Sequence, residues 1–324
     1  MGCRGRVFDR HMRPEHIAQY VDKADVYAYG EVLSIDPAMQ REYTDGVSLT
    51  TGEQFPTTDF LLGAWLRRFL EVGPPAVDFE HHDWVKHLLD LEMKRPTELP
   101  EKLGTVEKGQ MSAPILSRNS VRFARNHDTV YNDVPFYGLG GWGQGSAQVA
   151  AAWLLAAHDG SVLLLAEDVK KSMVIKEALA YRKALRGVIE GLVPEQRQTI
   201  RTEIRVMESE DGGRPLTICV ACRVDAVDSD GKDLEGGALL GFAVLNPHPA
   251  GAVAFEGSTC LQQRGAGDRT ISTGDQKVVL HGDGTLNDPL HLAPYEAWVS
   301  VRQAPSSSPA HETLCWLRLS CFHL

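Results

Sequence analysis

Near residue 193 the pattern of the chain changes, and this change limits what it can fold into. Before it, short apolar strands alternate with helical patterns. Residues 26–29 suit a short strand. Over residues 60–72, Phe60, Leu61, Leu62, Trp65, Leu66, Phe69 and Leu70 recur at helical spacing. Residues 85–93 suit a second amphipathic helix, and residues 120–124 alternate as a strand. Residues 146–158 form an Ala-rich helix closed by Asp159-Gly160. Residues 161–166 read as a buried strand ending at Glu167 and Asp168, and residues 171–187 are helical again. Such alternation predicts a parallel α/β sheet or barrel.

After residue 193, strand follows strand: 216–224, 239–245, 252–255, 277–280 and 297–301. Turn signals separate them at Asp228-Ser229-Asp230-Gly231, Asn246-Pro247 and Asp283-Gly284. This predicts a small antiparallel β domain, with residues 292–301 as its last strand. The expected organisation is an α/β region over 1–192, an antiparallel β domain over 193–303 and a tail over 304–324. The tail is Ser/Pro-rich, then apolar, and does not fit the β domain. No internal repeat is visible.

Composition narrows the function. The formal net charge is −10. Sequence-independent binding to nucleic acid or to an anionic membrane needs the opposite sign. A neutral substrate such as a sugar is compatible with it. Six cysteines are too few for a disulfide scaffold in a chain of 324 residues. Cys219 and Cys222 form one C-x-x-C on a predicted strand, where residues three apart face opposite ways. Two small hydrophobes in a core strand fit better than a metal clip. No signal peptide or apolar run of membrane-spanning length is recognisable, and localisation stays open.

Three constellations carry candidate chemistry. Tyr27-Ala28-Tyr29-Gly30-Glu31 runs a strand into a glutamate at its C-terminal end. In parallel α/β folds that end is the active face, where a carboxyl group can donate a proton to a leaving group. A second strand, from Ser120, ends in Asn126-His127-Asp128. These are also ordinary turn residues. The third is Gly5-Arg6-Val7-Phe8-Asp9-Arg10-His11, followed by a helix start with Pro14.

In this order, the three segments resemble regions of the α-amylase family, glycoside hydrolase family 13. That family's fourth strand carries Gly-Phe-Arg-x-Asp-x-x-Lys-His, its fifth ends in Gly-Glu, and its seventh reads Phe-x-x-Asn-His-Asp. Thr57-Thr58-Asp59-Phe60 resembles the sixth strand entering its helix. Residues 146–167 resemble the passage into the eighth strand. Residues 241–246 and 292–298 resemble strands of the family's C-terminal β domain. The resemblance extends over most of residues 5–303. It implies a partial (β/α)8 TIM-type barrel followed by a small antiparallel β domain. It implies a retaining glycoside hydrolase acting on α-glucans such as starch, glycogen or maltooligosaccharides. Glu31 then corresponds to the general acid/base and Asp128 to the carboxylate that stabilises the oxocarbenium-like transition state. Asn126, His127, Arg6, Arg10 and His11 would contact the sugar. The carbonyl of His11 would ligate a structural calcium ion.

Two departures follow. The family nucleophile sits four residues before the motif's histidine, and here that position is Val7. Asp9 is the nearest carboxylate, and Arg6 precedes it by three positions where the family spacing is two. The family's first three barrel strands, which also bring most calcium ligands, have no counterpart. A full barrel takes about 250 residues. The expectation is therefore a truncated, monomeric enzyme that is weakly active or inactive. Its alternative is a non-catalytic carbohydrate-binding remnant, in which Tyr29, Tyr131, Phe136 and Trp142 stack on sugars.

A nucleotide reading competes. Gly138-Leu139-Gly140-Gly141-Trp142-Gly143 matches G-x-G-x-x-G, with a helix and a strand behind it. The segment before it is short and broken by Pro135. A flexible loop explains the glycines as well. Glu80, His81, His82, Asp83 and His87 fit a solvated helix face better than a metal site.

Overall fold

The structure is a computed structural model. It describes residues 5–9, 13–14, 16–17, 27–32, 42–44, 47, 55–60, 62–63, 66, 70, 120–126, 144–157, 160–207, 217–226, 237–262, 268–273, 276–302 and 316–317. The chain mixes helices with parallel and antiparallel sheets, and divides into two compact units. The first comprises Met1–Phe69, Glu80–Trp142 and Asp159–Leu165, and the second Leu70–Phe79, Gly143–His158 and Ala166–Leu324. This division departs from the boundary expected at 192/193, because the helices before it belong with the antiparallel strands. Their apolar faces need a sheet to cover.

The first unit holds five strands: β1 (Gly5–Asp9), β2 (Tyr27–Glu31), β3 (Thr57–Thr58), β4 (Ser120–Arg122) and β5 (Ser161–Val162). All four pairings are parallel, and the order across the sheet is the order along the chain. Ile17, Ala28, Val32, Tyr43, Val47 and Phe55 form one buried cluster. Phe60 meets Phe123 edge to face at 4.8 Å. Of the helix expected over 60–72, every described residue is helical: Phe60, Leu62, Gly63, Leu66 and Leu70. The expected strand at 161–166 is shorter. Only Ser161–Val162 pair, and Ala166 already begins a helix. Glu167 and Asp168 therefore lie in a helix's first turn, where the macrodipole favours acids, and not at a strand end.

The second unit begins with helices α1 (Gln144–Ala156), α2 (Ala166–Lys171), α3 (Met173–Glu190) and α4 (Pro194–Gln198). Helix α1 is buried almost all round, as its Ala-rich sequence requires. It carries no basic residue in its last turn. Arg182 of α3 supplies the cation, donating to the carbonyls of Leu154, Leu155 and Ala157, the last at 2.6 Å. Ser172 caps α3, its hydroxyl accepting from the Ile175 amide.

Strands β6 (Arg201–Met207), β7 (Thr217–Val224), β8 (Ala238–Leu245), β13 (Ala297–Arg302) and β14 (Trp316–Leu317) make one antiparallel sheet in the order β14-β13-β8-β7-β6. Strands β9 (Val253–Gly257), β10 (Arg269–Thr273), β11 (Gln276–Leu280) and β12 (Thr285–Leu292) make a second, ordered β10-β11-β12-β9. One face of the larger sheet packs on the smaller one through Phe242, Val244, Trp298, Phe255, Ile271 and Val278 among others. Helices α1 and α3 meet its other side. Every residue of β7 and β8 is consequently buried, so β8 reads as an unbroken apolar run and β7 as one from Ile218 to Cys222, with Arg223 the buried exception.

Two expectations need correction here. Residues 292–301 are not one strand, because a turn at 293–296 separates β12 from β13. The tail also joins the fold: Leu317 and Trp316 pair with Val301 and Arg302 at the sheet edge. A strand of two residues is too short to give a period-2 signal from which to read that pairing.

Gly241 decides how α3 sits on β8. A Cβ there would stand 3.1 Å from the ring and from the hydroxyl of Tyr181. Tyr181 is fully buried, and its hydroxyl finds no hydrogen-bond partner among the described residues. Burial pushes its phenol well above the usual 10.0. Burial likewise raises the Cys219 thiol above 9.0, with the neighbouring Cys260 adding to the effect. An unfolded chain gives up these protons at the ordinary values, while the folded chain keeps them. The contribution to stability is therefore complete well below pH 9 and declines as pH rises through that value and above it. Urea midpoints should fall between pH 8 and pH 11, and Tyr181→Phe should flatten the upper part of that fall. A midpoint independent of pH over this range would contradict it.

Candidate functional site at the strand ends of the parallel sheet

Because β1 and β2 are parallel and in register, Asp9 and Glu31 are partners at the C-terminal ends of adjacent strands. Arg6 pairs with Ala28 lower on the same ladder. Neighbouring strands stand about 4.8 Å apart. Glu31 is half-buried. Next along the sheet, β3 runs straight into Asp59, which is buried. Its carboxylate accepts from the Leu62 amide at 3.0 Å and so caps the helix beginning at Phe60. The Asp59 amide donates to the Val121 carbonyl of β4 at 3.0 Å.

Asn126 follows β4 and is buried. Its amide nitrogen donates to Glu31 Oε1 at 3.5 Å, across 95 residues of sequence. The strand ends of β2 and β4 thus bring together two of the residues singled out from the sequence. Asn126, expected to contact the sugar, reaches the carboxylate that would act on it. An amide donor at that oxygen orients the carboxyl group and opposes its rotation.

The backbone around Glu31 is held as well. The Gly30 amide donates to the Pro56 carbonyl at 2.8 Å. The Thr58 hydroxyl accepts from the Val32 amide at 3.1 Å and donates to the Gly30 carbonyl at 3.4 Å. Gly30 is needed for this approach, since a Cβ there would stand 2.9 Å from the Phe55 ring. Sequence reasoning read Thr58 and Asp59 only as the passage from a strand into a helix and gave neither a role at the site. Their position between a strand and a helix start is the N-cap signal that identifies Asp59. Thr58 carries no comparable mark.

His127, Asp128, Arg10 and His11 lie outside the described residues, as do the Gly138 to Gly143 loop, the aromatics Tyr131, Phe136 and Trp142, and the acidic and histidine cluster of residues 80–87. Among the described residues no three His, Cys, Asp or Glu side chains converge as a metal site would require. The calcium implied by the resemblance would rest on the carbonyl of His11, which lies outside the described residues. Cys219 and Cys222 are buried free thiols. No helix among the described residues is long and apolar enough to cross a membrane. Compared with models of known protein families and with curated proteins, the chain finds no match.

Proposed function

We propose that the chain is a weakly active, α-amylase-type retaining glycoside hydrolase acting on α-glucans, built on consecutive strands of a (β/α) barrel. The observation that carries the reading is the meeting of Glu31 and Asn126 at the C-terminal ends of a parallel sheet whose spatial order follows the chain. That order suits successive barrel strands. A dinucleotide fold would instead reverse strand order at its binding crevice. Further support comes from the register of Asp9 on Glu31. A spacing of about 4.8 Å between strands is on the scale of the roughly 5–5.5 Å between the carboxyl groups of retaining enzymes.

In this mechanism Glu31 protonates the glycosidic oxygen as the bond to the anomeric carbon breaks. Asp9 attacks that carbon and forms the glycosyl-enzyme. Asp128 stabilises the positive charge between them. Glu31 then takes a proton from water, which displaces Asp9. Val7 at the family's nucleophile position favours a second reading, in which the chain binds α-glucans without cleaving them.

The test is turnover of a chromogenic maltotrioside with calcium present. Slow release of the chromophore is expected, and Glu31→Gln should lower kcat by about 10²-fold or more. Equal turnover by Glu31→Gln sinks the hydrolase reading. Absent turnover with retardation of the chain in a glycogen gel selects the binding reading. If there is neither turnover nor retardation, both fail.

A further inference from the structure

Strand β3 is two residues long, and only Gly30 of β2 is in register with it, opposite Thr57. On the β3 side the ladder therefore ends just before Glu31, while its other edge still pairs with Asp9 of β1. A single side chain takes over from it. The Thr58 oxygen bonds the Val32 amide and the Gly30 carbonyl. The Gly30 carbonyl belongs to the peptide plane entering Glu31, and the Val32 amide to the plane leaving it. Rotation between these two planes is what φ and ψ of Glu31 describe. With β1 pairing one edge of Glu31, one buried oxygen that bonds both planes holds its backbone on the other, and with it the direction of its Cα–Cβ bond.

Resting on the hydrolase reading of this site, we infer that Thr58 is the positioning residue of Glu31. Thr58 sets the root of the side chain from the backbone, and Asn126 holds its tip through Oε1. The residue type suits the task. Thr58 is wholly buried, so water does not compete for its hydroxyl. A β-branched side chain has few χ1 choices, which keeps the oxygen aimed at both partners. Valine has the same shape and no hydroxyl. Serine keeps the hydroxyl and loses the methyl group.

A general acid displaced by about 1 Å can lose roughly 10²-fold in rate while substrate contacts elsewhere survive. Thr58→Val is therefore expected to lower kcat on the chromogenic maltotrioside by roughly 10- to 100-fold with KM little changed. Thr58→Ser should stay within a few-fold of the parent. Deuterium exchange at the Val32 amide should speed up in the valine variant and not in the serine variant. If the valine variant does not fold, Thr58→Ala takes its place against the same serine comparison. A valine or alanine variant with the parent's kcat overturns the proposal. A serine variant as slow as the valine variant overturns it too, because the hydroxyl would then not matter. Loss expressed only in KM or in thermal stability assigns Thr58 a purely structural role and also overturns it. A parent without Glu31-dependent turnover removes the hydrolase reading and this proposal together. That result is distinct from an active parent indifferent to Thr58.

Discussion

Arg223→Met is expected to lower the stability of the second unit by about 3 kcal/mol, near the bottom of the range for breaking a buried ion pair. Arg223 is 1% exposed, next to the last residue of a strand buried along its whole length. Its Nε donates to Glu203 Oε2 at 3.0 Å. Its Nη2 donates to the carbonyls of Cys260 and Gln262 at 2.6 and 2.7 Å, and Nη1 to that of Gly237 at 3.4 Å. The guanidinium thus ties β6 and β7 to the 3-10 turn Thr259–Leu261, which leads away from the smaller sheet's edge strand β9. Methionine fills much of the volume and satisfies none of these acceptors. An unpaired buried acceptor costs about 1–3 kcal/mol. The Glu203 side chain is 25% exposed and regains water, which keeps the total near the lower limit. Urea unfolding of the whole chain measures it. A loss below about 1 kcal/mol would mean that the carbonyls find other donors.

Phe242→Ala should cost about 3–5 kcal/mol, the usual range for emptying a buried phenylalanine site. Phe242 is wholly buried and lies 5.3 Å from the Trp298 ring, tilted by 51°. Its backbone pairs with Ala221 on one side and Ser300 on the other. A central strand paired on both edges cannot move inward to fill the space, so the cavity remains. Exposed Val193→Ala is the control, expected within about 0.5 kcal/mol of the parent. Equal effects of the two substitutions would place Phe242 outside the load-carrying core.

Residue pattern alone determined the elements whose environment is uniform along their length. Helix α3 is legible because Ile175, Ala178, Tyr181 and Leu185 recur on one stripe. Strands β7, β8 and β13 are legible because burial on both faces demands mainly apolar sequences, interrupted only at Thr217, Arg223, Ser300 and the strand-end Arg302. The strands that went unread lack that uniformity. In β6 only Ile204 is buried among residues 201–205, as suits a strand at the sheet's edge. Strand β12 contains Pro289, and its pairing with β9 shifts register between Thr285 and Leu290, which breaks the alternation. Strand β3 has two residues, too few to carry any period, and only the family resemblance marked it as a strand.

At the site the same division holds. Glu31 and Asn126 are recognisable in the sequence as polar residues closing apolar strands, because strand ends in parallel sheets are where polar side chains can gather. Their contact is not, since 95 residues separate them and only the lateral order of β2, β3 and β4 brings them together. Thr58 is less legible still. Its role comes from where a two-residue strand stops pairing, and that point depends on the register of its neighbours, which no local propensity encodes.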